Sequence, residues 1–179
     1  MKSRMMILSL FVLVIMCSCN NLKHFKFTED FNTTATLPHQ AIIVGTSSVV
    51  SPDIPTNIAA LLKQNNTRSD LVESAKLDSM TLTITAPAGQ NFAFLQGAHI
   101  FIVADGQSDV EIAYRNNVSD QTAILNMDID DVELKTYLLK DSFQMKIVTT
   151  NGQTISSDLT INIHLKVRFE ANVLAAVLS

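Results

Sequence analysis

The feature that most constrains this chain is a strict alternation of apolar and polar residues over 159–170. Every odd position in this segment is apolar, from Leu159 to Phe169, and every even position is polar. Successive side chains of a β-strand point to opposite faces of the sheet, so the pattern predicts a strand with one buried and one solvent-facing side. Ile163 is expected on the buried face and His164 on the solvent face.

Shorter strand patterns recur along the chain, separated by turn residues about every ten positions. They cover residues 25–37, 41–50, 80–86, 99–104, 110–114, 123–129 and 143–150. Asp105-Gly106 and Asn151-Gly152 favour tight turns, and the second is predicted to join 143–150 to 153–170 as a hairpin. The chain is therefore predicted to be all-β: an immunoglobulin-like or jelly-roll antiparallel β-sandwich of roughly seven to nine strands with a few short helices.

Short helices are expected at three places between the strands. Residues 55–64 carry apolar side chains at helical spacing. The segments Asp70-Leu71-Val72-Glu73 and Asp130-Asp131-Val132-Glu133 have the spacing of a capping box, which marks the start of a helix. The second is predicted to open a helix over 132–140. These helices are expected to cover the ends of the sandwich.

The N-terminus has the pattern of a targeting signal. A positively charged start, Met1-Lys2-Ser3-Arg4, precedes residues 5–17, which are apolar except for Ser9. An apolar run of about thirteen residues suits a signal peptide, whereas a membrane-spanning helix needs about 20.

The end of this signal, Met16-Cys17-Ser18-Cys19, resembles the end of bacterial lipoprotein signal peptides. In those signals a small residue precedes the cysteine that becomes lipidated; Ser18 fits that position before Cys19, and Met16 is too bulky to do so before Cys17. The resemblance implies a signal peptide over 1–18, lipidation of Cys19, a tether over 19–24 and a single β-sandwich domain over 25–179. An uncleaved anchor helix and plain secretion stay open as alternatives.

The chain also resembles the small uncharacterised lipoproteins of Bacteroidetes-type bacteria. Ser18-Cys19, the early strand Phe25-Lys26-Phe27-Thr28, residues 74–84 and the long closing strand carry this resemblance. It implies a β-sandwich without known activity, anchored in the cell envelope with the outer membrane as the expected location. Within this group, Asp78-Ser79-Met80 would be an O-glycosylation site.

Charge and the remaining residues exclude several classes of function. Loss of residues 1–18 removes Lys2 and Arg4 and no acid, so the formal charge changes from -4 to -6. An acidic domain of this kind is not expected to bind nucleic acid. The sequence holds no Gly-x-Ser-x-Gly, His-x-x-x-His or Cys-x-x-Cys pattern. No catalytic residue, metal site or cofactor is therefore predicted.

The histidines have ordinary structural interpretations. His24 lies in the tether, His39 follows Pro38 in a turn and is expected to have no partner nearby, and His99 is expected to begin a strand. His164 is expected on the solvent face.

Two acidic groups also have competing interpretations. Asp128, Asp130, Asp131 and Glu133 offer the oxygen ligands that calcium prefers, but helix capping explains them better. The segment 105–109 is interpreted as a hairpin turn. Phe92 and Phe94, close to Gln90 and Asn91, are expected in the core, with a ligand-lining role as the alternative.

The predicted function is a non-enzymatic, lipid-anchored binding or assembly module of the bacterial cell envelope. Its partners would be the membrane, through the lipid, and an envelope protein or glycan. One alternative is an envelope hydrolase with carboxylates from separate strands. Another is a structural subunit that pairs by strand addition. The apolar residues 173–178 would be a last strand or edge cover, or a segment buried by a partner.

Overall fold

The computed structural model describes residues 24–39, 44–118 and 122–173. The predicted signal peptide, Cys19, nearly all of the tether and the tail beyond Val173 lie outside these residues. The strands are β1 His24–Leu37, β2 Gly45–Val50, β3 Ile54–Pro55, β4 Val72–Ala86, β5 Leu95–Val103, β6 Val110–Asn116, β7 Ile124–Asn126, β8 Asp128–Ile129, β9 Ser142–Asn151 and β10 Leu159–Asn172. The helices are α1 Ile58–Gln64 and α2 Lys135–Leu138, with 3-10 turns at Ser69–Leu71 and Phe92–Phe94.

The strands form two antiparallel sheets. The first sheet has the order β1-β10-β4-β7, and the second has the order β2-β9-β5-β6-β8 with β3 beside β9. If the two-residue strands β3 and β8 are set aside, the other eight strands form nested pairs, in which the first strand pairs with the last. The pairs are β1 with β10, β2 with β9, β4 with β7 and β5 with β6. This order is that of a jelly roll, in which two Greek keys share two sheets. The predicted all-β antiparallel sandwich is confirmed, and of the two types named the structure has the jelly roll.

The core lies between the sheets and depends on the alternation from which the fold was predicted. In β10 every odd residue from Leu159 to Phe169 is at most 2 % exposed, and Ile163 is completely buried. His164 lies on the outer face, as predicted. The buried apolar side chains of both sheets and both helices form one continuous cluster.

The predicted hairpin at Asn151-Gly152 is wrong. β9 pairs with β2 and β5 in the second sheet, whereas β10 pairs with β1 and β4 in the first. Each strand already has a neighbour on both sides, so the two cannot pair with each other. The connection after Asn151 crosses from one sheet to the other, and the N–H of Gly152 bonds to the carbonyl of Phe94 at 2.8 Å. The predicted β5–β6 hairpin is present, with Gly106 at φ +70° in its turn.

The strand predicted over 123–129 divides into two. Ile124–Asn126 pairs with β4 in the first sheet, and Asp128–Ile129 pairs with β6 in the second. Met127 between them is buried, and its N–H bonds to the carbonyl of Met80 at 3.0 Å. The chain changes sheets at this corner while it keeps its apolar side chains in the core.

The two predicted capping boxes do not start helices where expected. After the single 3-10 turn at Ser69–Leu71 the chain enters β4 at Val72, which is 1 % exposed. The second helix starts at Lys135, three residues later than predicted, and it is the Glu133 carboxylate that accepts the N–H of Lys135 at 2.9 Å. The helix predicted over 55–64 is shorter, since Ile54–Pro55 pairs with β9 as a strand.

The sandwich has two different ends. The helical end carries α1, α2, the β5–β6 turn, the start of β1 at His24 and the end of β10 at Asn172. The loop end carries the connections that follow β1, β4, β6 and β9. Within the described ranges, no helix has the length and apolar character needed to cross a membrane.

Candidate functional site

An apolar cleft of about 500 Å³ opens at the helical end. Its size falls in the range of small-molecule sites. The lining residues come from α1, from the turn that follows it and from the residue after α2: Ile58, Ala59, Leu62, Lys63, Asn66, Thr67, Arg68, Ser69 and Leu139.

The amphipathic pattern of α1 forms one wall of this cleft. Leu61 and Leu62 are buried in the core, whereas Ala59 and Lys63 are exposed, one helical turn apart. The start of α1 is tied to α2, because the hydroxyl of Thr56 donates to the carbonyl of Lys140 at 2.6 Å. The cleft lies between α1 and Leu139, the residue that follows α2.

The back of the cleft is joined to the end of β10. Thr67 is only 3 % exposed, and its hydroxyl donates to the carbonyl of Asn172 at 2.7 Å. Its N–H bonds to the carbonyl of Leu62 at 2.9 Å. The two charged lining residues, Lys63 and Arg68, are both exposed, and Arg68 pairs with Asp70 at 2.7 Å. The apolar part of the lining consists of Ile58, Ala59, Leu62 and Leu139.

A smaller cleft of about 260 Å³ lies at the loop end. It is lined by amide and hydroxyl side chains of two neighbouring connections, Gln90, Asn91, Gln153, Thr154 and Ser156, together with Ala93, Phe94 and Ile155. Phe92 and Phe94 are 1 % and 4 % exposed, which confirms the predicted core position of both rings. Asn91 organises the turn that buries them by accepting the N–H of Ala93 at 3.0 Å.

His39 and Asp158 join two further connections at this end. The Nδ1 atom of His39 lies 2.8 Å from the Oδ1 atom of Asp158, which also accepts the His39 backbone N–H at 2.9 Å. These two bonds, the backbone one first, hold the pKa of Asp158 below its ordinary value because they stabilise the carboxylate. The expectation that His39 has no partner nearby is therefore wrong, because the fold brings Asp158 from another connection next to it.

The other three histidines also face carboxylates. The pairs are His24–Glu73 at 2.9 Å, His99–Glu111 at 2.6 Å and His164–Asp30 at 2.9 Å. His99 lies within β5 instead of at its start. All of these partners are distant in sequence except Glu111, which lies on the adjacent strand of the β5–β6 hairpin. Sequence reasoning missed them because pairing between strands was not known.

The acidic group 128–133 is dispersed among separate partners. Asp128 pairs with Arg115 at 3.4 Å and Asp131 with Lys76 at 2.6 Å. The hydrogen bond from Lys76 lowers the pKa of Asp131. Glu133 accepts the N–H groups of Ala75 and Lys135. Across the described residues, no three His, Cys, Asp or Glu side chains are grouped to hold a metal ion.

Two carboxylates, Asp53 and Asp105, line a third cleft of about 430 Å³ beside the β5–β6 turn. A general acid needs a raised pKa. Among the described residues, the carboxyl groups whose pKa departs clearly from the ordinary value are Asp131, Asp158 and Glu170, and the pKa of each is lowered.

No protein family model matches the chain, and no curated protein matches it by sequence. Similar solved structures include a chain of desmodium yellow mottle tymovirus, 10% identical with a TM-score of 0.32, over 86% of this chain and 91% of that one. A chain of the cyanophage Pam1 capsid asymmetric unit is 8% identical with a TM-score of 0.39, over 80% and 85%. CpGH89CBM32-5 from Clostridium perfringens, in complex with GalNAc-beta-1,3-galactose, is 10% identical with a TM-score of 0.31, over 72% and 99%. The strand order above, and not these distant similarities, identifies the jelly roll.

Proposed function

We propose that this protein is a non-enzymatic binding or assembly module of the bacterial cell envelope, anchored to the outer membrane through lipid on Cys19. The observation that carries the proposal is the position of His24. β1 begins there, at the helical end, and only four residues separate it from Cys19. At about 3.5 Å per residue, the lipidated cysteine would lie within about 18 Å of that end.

This short tether would set the orientation of the domain. The helical end would face the membrane, and the connections at the loop end would project away from it. Loops held by a rigid scaffold are common binding surfaces. The uncharged amides and hydroxyls of Gln90, Gln153, Thr154 and Ser156 suit a hydroxyl-rich partner such as a glycan, or the polar surface of an envelope protein.

Membrane fractionation of a Cys19→Ala variant tests the anchor, with Cys17→Ala as the matched control. We expect the Cys19→Ala protein to incorporate no labelled fatty acid, to lose signal cleavage and to differ from wild type in membrane extraction. The Cys17→Ala protein should behave as wild type. Fatty-acid labelling that persists without Cys19 would refute lipidation at that residue.

Binding at the loop end is tested with immobilised envelope glycans and a Gln90→Ala, Gln153→Ala double variant. We expect retention of wild type and at least tenfold weaker retention of the variant, since a buried hydrogen bond to a ligand is worth about 1.4 kcal/mol or more. The matched control is Gln107→Ala, an exposed amide in the turn at the opposite end. Equal retention of all three proteins would mean that the glycan does not bind at the loop end.

Assembly by strand addition is the second candidate, and the length of β1 favours it. This 14-residue strand lies at an edge of the first sheet and, among the described residues, pairs only with β10. Free edge strands offer backbone groups to an added strand. A Thr34→Lys, Thr36→Lys variant would place charges along this edge. We expect it to reduce any self-association seen by size-exclusion chromatography at increasing concentration; an unchanged oligomer would exclude this edge.

A further inference from the structure

We propose that the free edge of β2 pairs antiparallel with the same edge of a second copy of this chain, so that Ser47 lies opposite the partner's Ser47. This inference goes beyond the proposed function and does not depend on Cys19. It rests on the position of β2 in its sheet, on the absence of charge in this strand and on two exposed valines.

β2 forms one edge of the second sheet. Its six residues, Gly45–Val50, pair with β9, and among the described residues they pair with no other strand. An edge strand presents unpaired N–H and C=O groups on its free side, where an added strand can bond to them. The β2 edge can therefore accept one further strand.

β2 lacks the residues that usually prevent such pairing. Charged side chains, above all lysine, and proline protect the edge strands of natural sheets. β2 contains neither, since it reads GTSSVV. By contrast, β1 carries Lys26, Glu29 and Asp30 in its first half. Two copies of β2 can meet without repulsion between like charges, although the whole chain has a formal charge of -4. An uncharged edge thus suits an equally uncharged strand, which a second copy supplies.

Two of the three large apolar side chains that are exposed in the described part of the chain lie at the ends of β2. Val44, directly before the strand, is 66 % exposed, and Val50, its last residue, is 49 % exposed. The third, Ile124, lies in β7 of the other sheet. Apolar side chains exposed close together mark interaction sites more often than single ones do. Pairing at the β2 edge would remove both valines from water.

Backbone geometry limits the register of this pair. Along a strand, the N–H and C=O groups of successive residues point alternately to the two sides of the strand. Residues opposite each other in an antiparallel pair must both point towards the shared edge or both away from it. When two identical strands pair through the same edge, the numbers of opposite residues are therefore both even or both odd. A centre on a single residue, such as Ser47, meets this condition.

A centre on Ser47 also brings the exposed valines together. It places Val44 opposite the partner's Val50, and Val50 opposite the partner's Val44. Thr46 lies opposite the partner's Ser48, and hydroxyl side chains in such positions stabilise antiparallel pairs. A centre on Thr46 or on Ser48 would separate the valines. The exposed apolar residues therefore select the register.

The pairing is expected to be weak, because two strands of six residues bury less surface than a standard protein interface. Disulfide formation suits a weak complex, since each link retains a pair that has formed. The expected complex is a two-fold symmetric dimer in which the second sheets of the two copies become one continuous sheet.

Disulfide formation between two full-length variants tests the register. Both carry Cys17→Ala and Cys19→Ala, so each introduced cysteine is the only thiol. One adds Thr46→Cys and the other Ser48→Cys, and both positions are exposed. Opposite residues have Cα atoms about 5 Å apart, within reach of a disulfide, whereas diagonal neighbours are about 7–8 Å apart. We expect the mixture to form linked dimers at least about fivefold faster than either protein alone.

The matched control mixes the Thr46→Cys protein with a Ser156→Cys protein, whose thiol is exposed at the loop end. This mixture should link no faster than its components. Equal rates in the two mixtures would overturn the proposal, because the links would then arise from random collisions. Faster linking by the Thr46→Cys or the Ser48→Cys protein alone would overturn the register centred on Ser47.

The exposed valines give a second readout. Val50→Lys, introduced into both cysteine proteins of the first mixture, should slow their linking about tenfold, since it removes an apolar contact and places a charge at the pairing edge. The matched control is Ile124→Lys, which replaces a similarly exposed apolar residue, at 54 %, on the other sheet. It should leave the rate unchanged, and equal slowing by the two substitutions would overturn the proposal. Both measurements concern β2, so failure here is distinct from failure of the anchor and of strand addition at β1.

Discussion

The Oδ1 atom of Asp158 accepts two hydrogen bonds from one residue, His39: the backbone N–H at 2.9 Å and the ring Nδ1 at 2.8 Å. An ionised carboxylate only accepts hydrogen bonds, so Nδ1 of His39 carries a proton in this arrangement. The contact joins the chain that leaves β1 to the chain that enters β10, although 119 residues separate the two.

Loss of this contact should destabilise the domain at neutral pH and matter less in acid. The pKa of Asp158 is lowered in the folded protein, so the carboxylate contributes stability above its unfolded pKa, and this contribution is lost as the pH falls through the folded pKa. Asp158→Asn should therefore lower the urea midpoint at pH 7, and the difference from wild type should shrink below about pH 4. The control is Asp105→Asn, a turn carboxylate at the other end. A difference that stays constant from pH 7 to pH 3 would contradict this account.

The register of β10 predicts that substitutions at two adjacent residues lower the stability of the domain by very different amounts. Ile163→Asp places an unpaired charge at a completely buried position and should cost more than about 4 kcal/mol, enough to unfold the domain. His164→Thr changes only the outer face, where the side chain is 41% exposed, and should cost less than about 1 kcal/mol. Circular dichroism and urea unfolding measure both. Similar stability of the two variants would mean that the register is wrong.

The hydroxyl of Thr67 should contribute measurably to stability. Thr67→Val keeps the shape of the side chain and removes the donor to Asn172, which should lower the free energy of unfolding by about 1–2 kcal/mol. Thr36→Val, on the exposed face of β1, is the matched control and should change it by less than about 0.5 kcal/mol. If the two substitutions lower the free energy of unfolding equally, the hydrogen bond from Thr67 to Asn172 stabilises the fold no more than a hydrogen bond from that hydroxyl to water.

Glu133 should contribute more to the stability of the domain than its acidic neighbour Asp131. Its carboxylate accepts the N–H groups of Ala75 and Lys135, so it caps α2 and ties it to β4. Glu133→Ala should cost about 1 kcal/mol in urea unfolding. Asp131→Ala removes one exposed pair with Lys76 and should have a small effect that vanishes in high salt. A salt-sensitive loss at Glu133 would indicate a surface ion pair in place of a cap.

The parts of the fold that were predictable are those in which the local pattern and the final position agree. In β10 the apolar residues are the buried ones and the polar residues are the solvent-facing ones, because the inner face of the first sheet packs in the core and its outer face does not. Ile163 and His164 illustrate this. Gly106 was predictable for a similar reason, since a two-strand hairpin within one sheet is a local structure.

The errors arise where the jelly roll connects two sheets. Asn151-Gly152 has the residue types of a hairpin turn, but β9 and β10 belong to different sheets because both already have two neighbours. The corner at Met127 looks like one strand in sequence, since the side chains stay apolar while the pairing partner changes. Local propensity does not contain this information.

The candidate sites were largely beyond sequence reasoning. The cleft at the helical end joins Ile58, Thr67 and Leu139, which come from three segments, and no single segment carries a binding motif. The partner of His39 lies in another connection, and only the arrangement of the sheets places Asp158 there. The predicted roles of Phe92 and Phe94 did follow from the sequence, because apolar rings in a turn are usually buried.

The pairing of β1 with β10 also has a kinetic consequence. His24 lies opposite Asn172, so the first strand stays without its neighbour until nearly the whole domain has been made. Contacts of such large sequence separation close late and slow the folding of β-proteins. Until then a 14-residue strand with one apolar face is unprotected. An acylated cysteine just ahead of it would hold that strand at a bilayer during this interval, so tethering and folding would be coupled in time as well as in space.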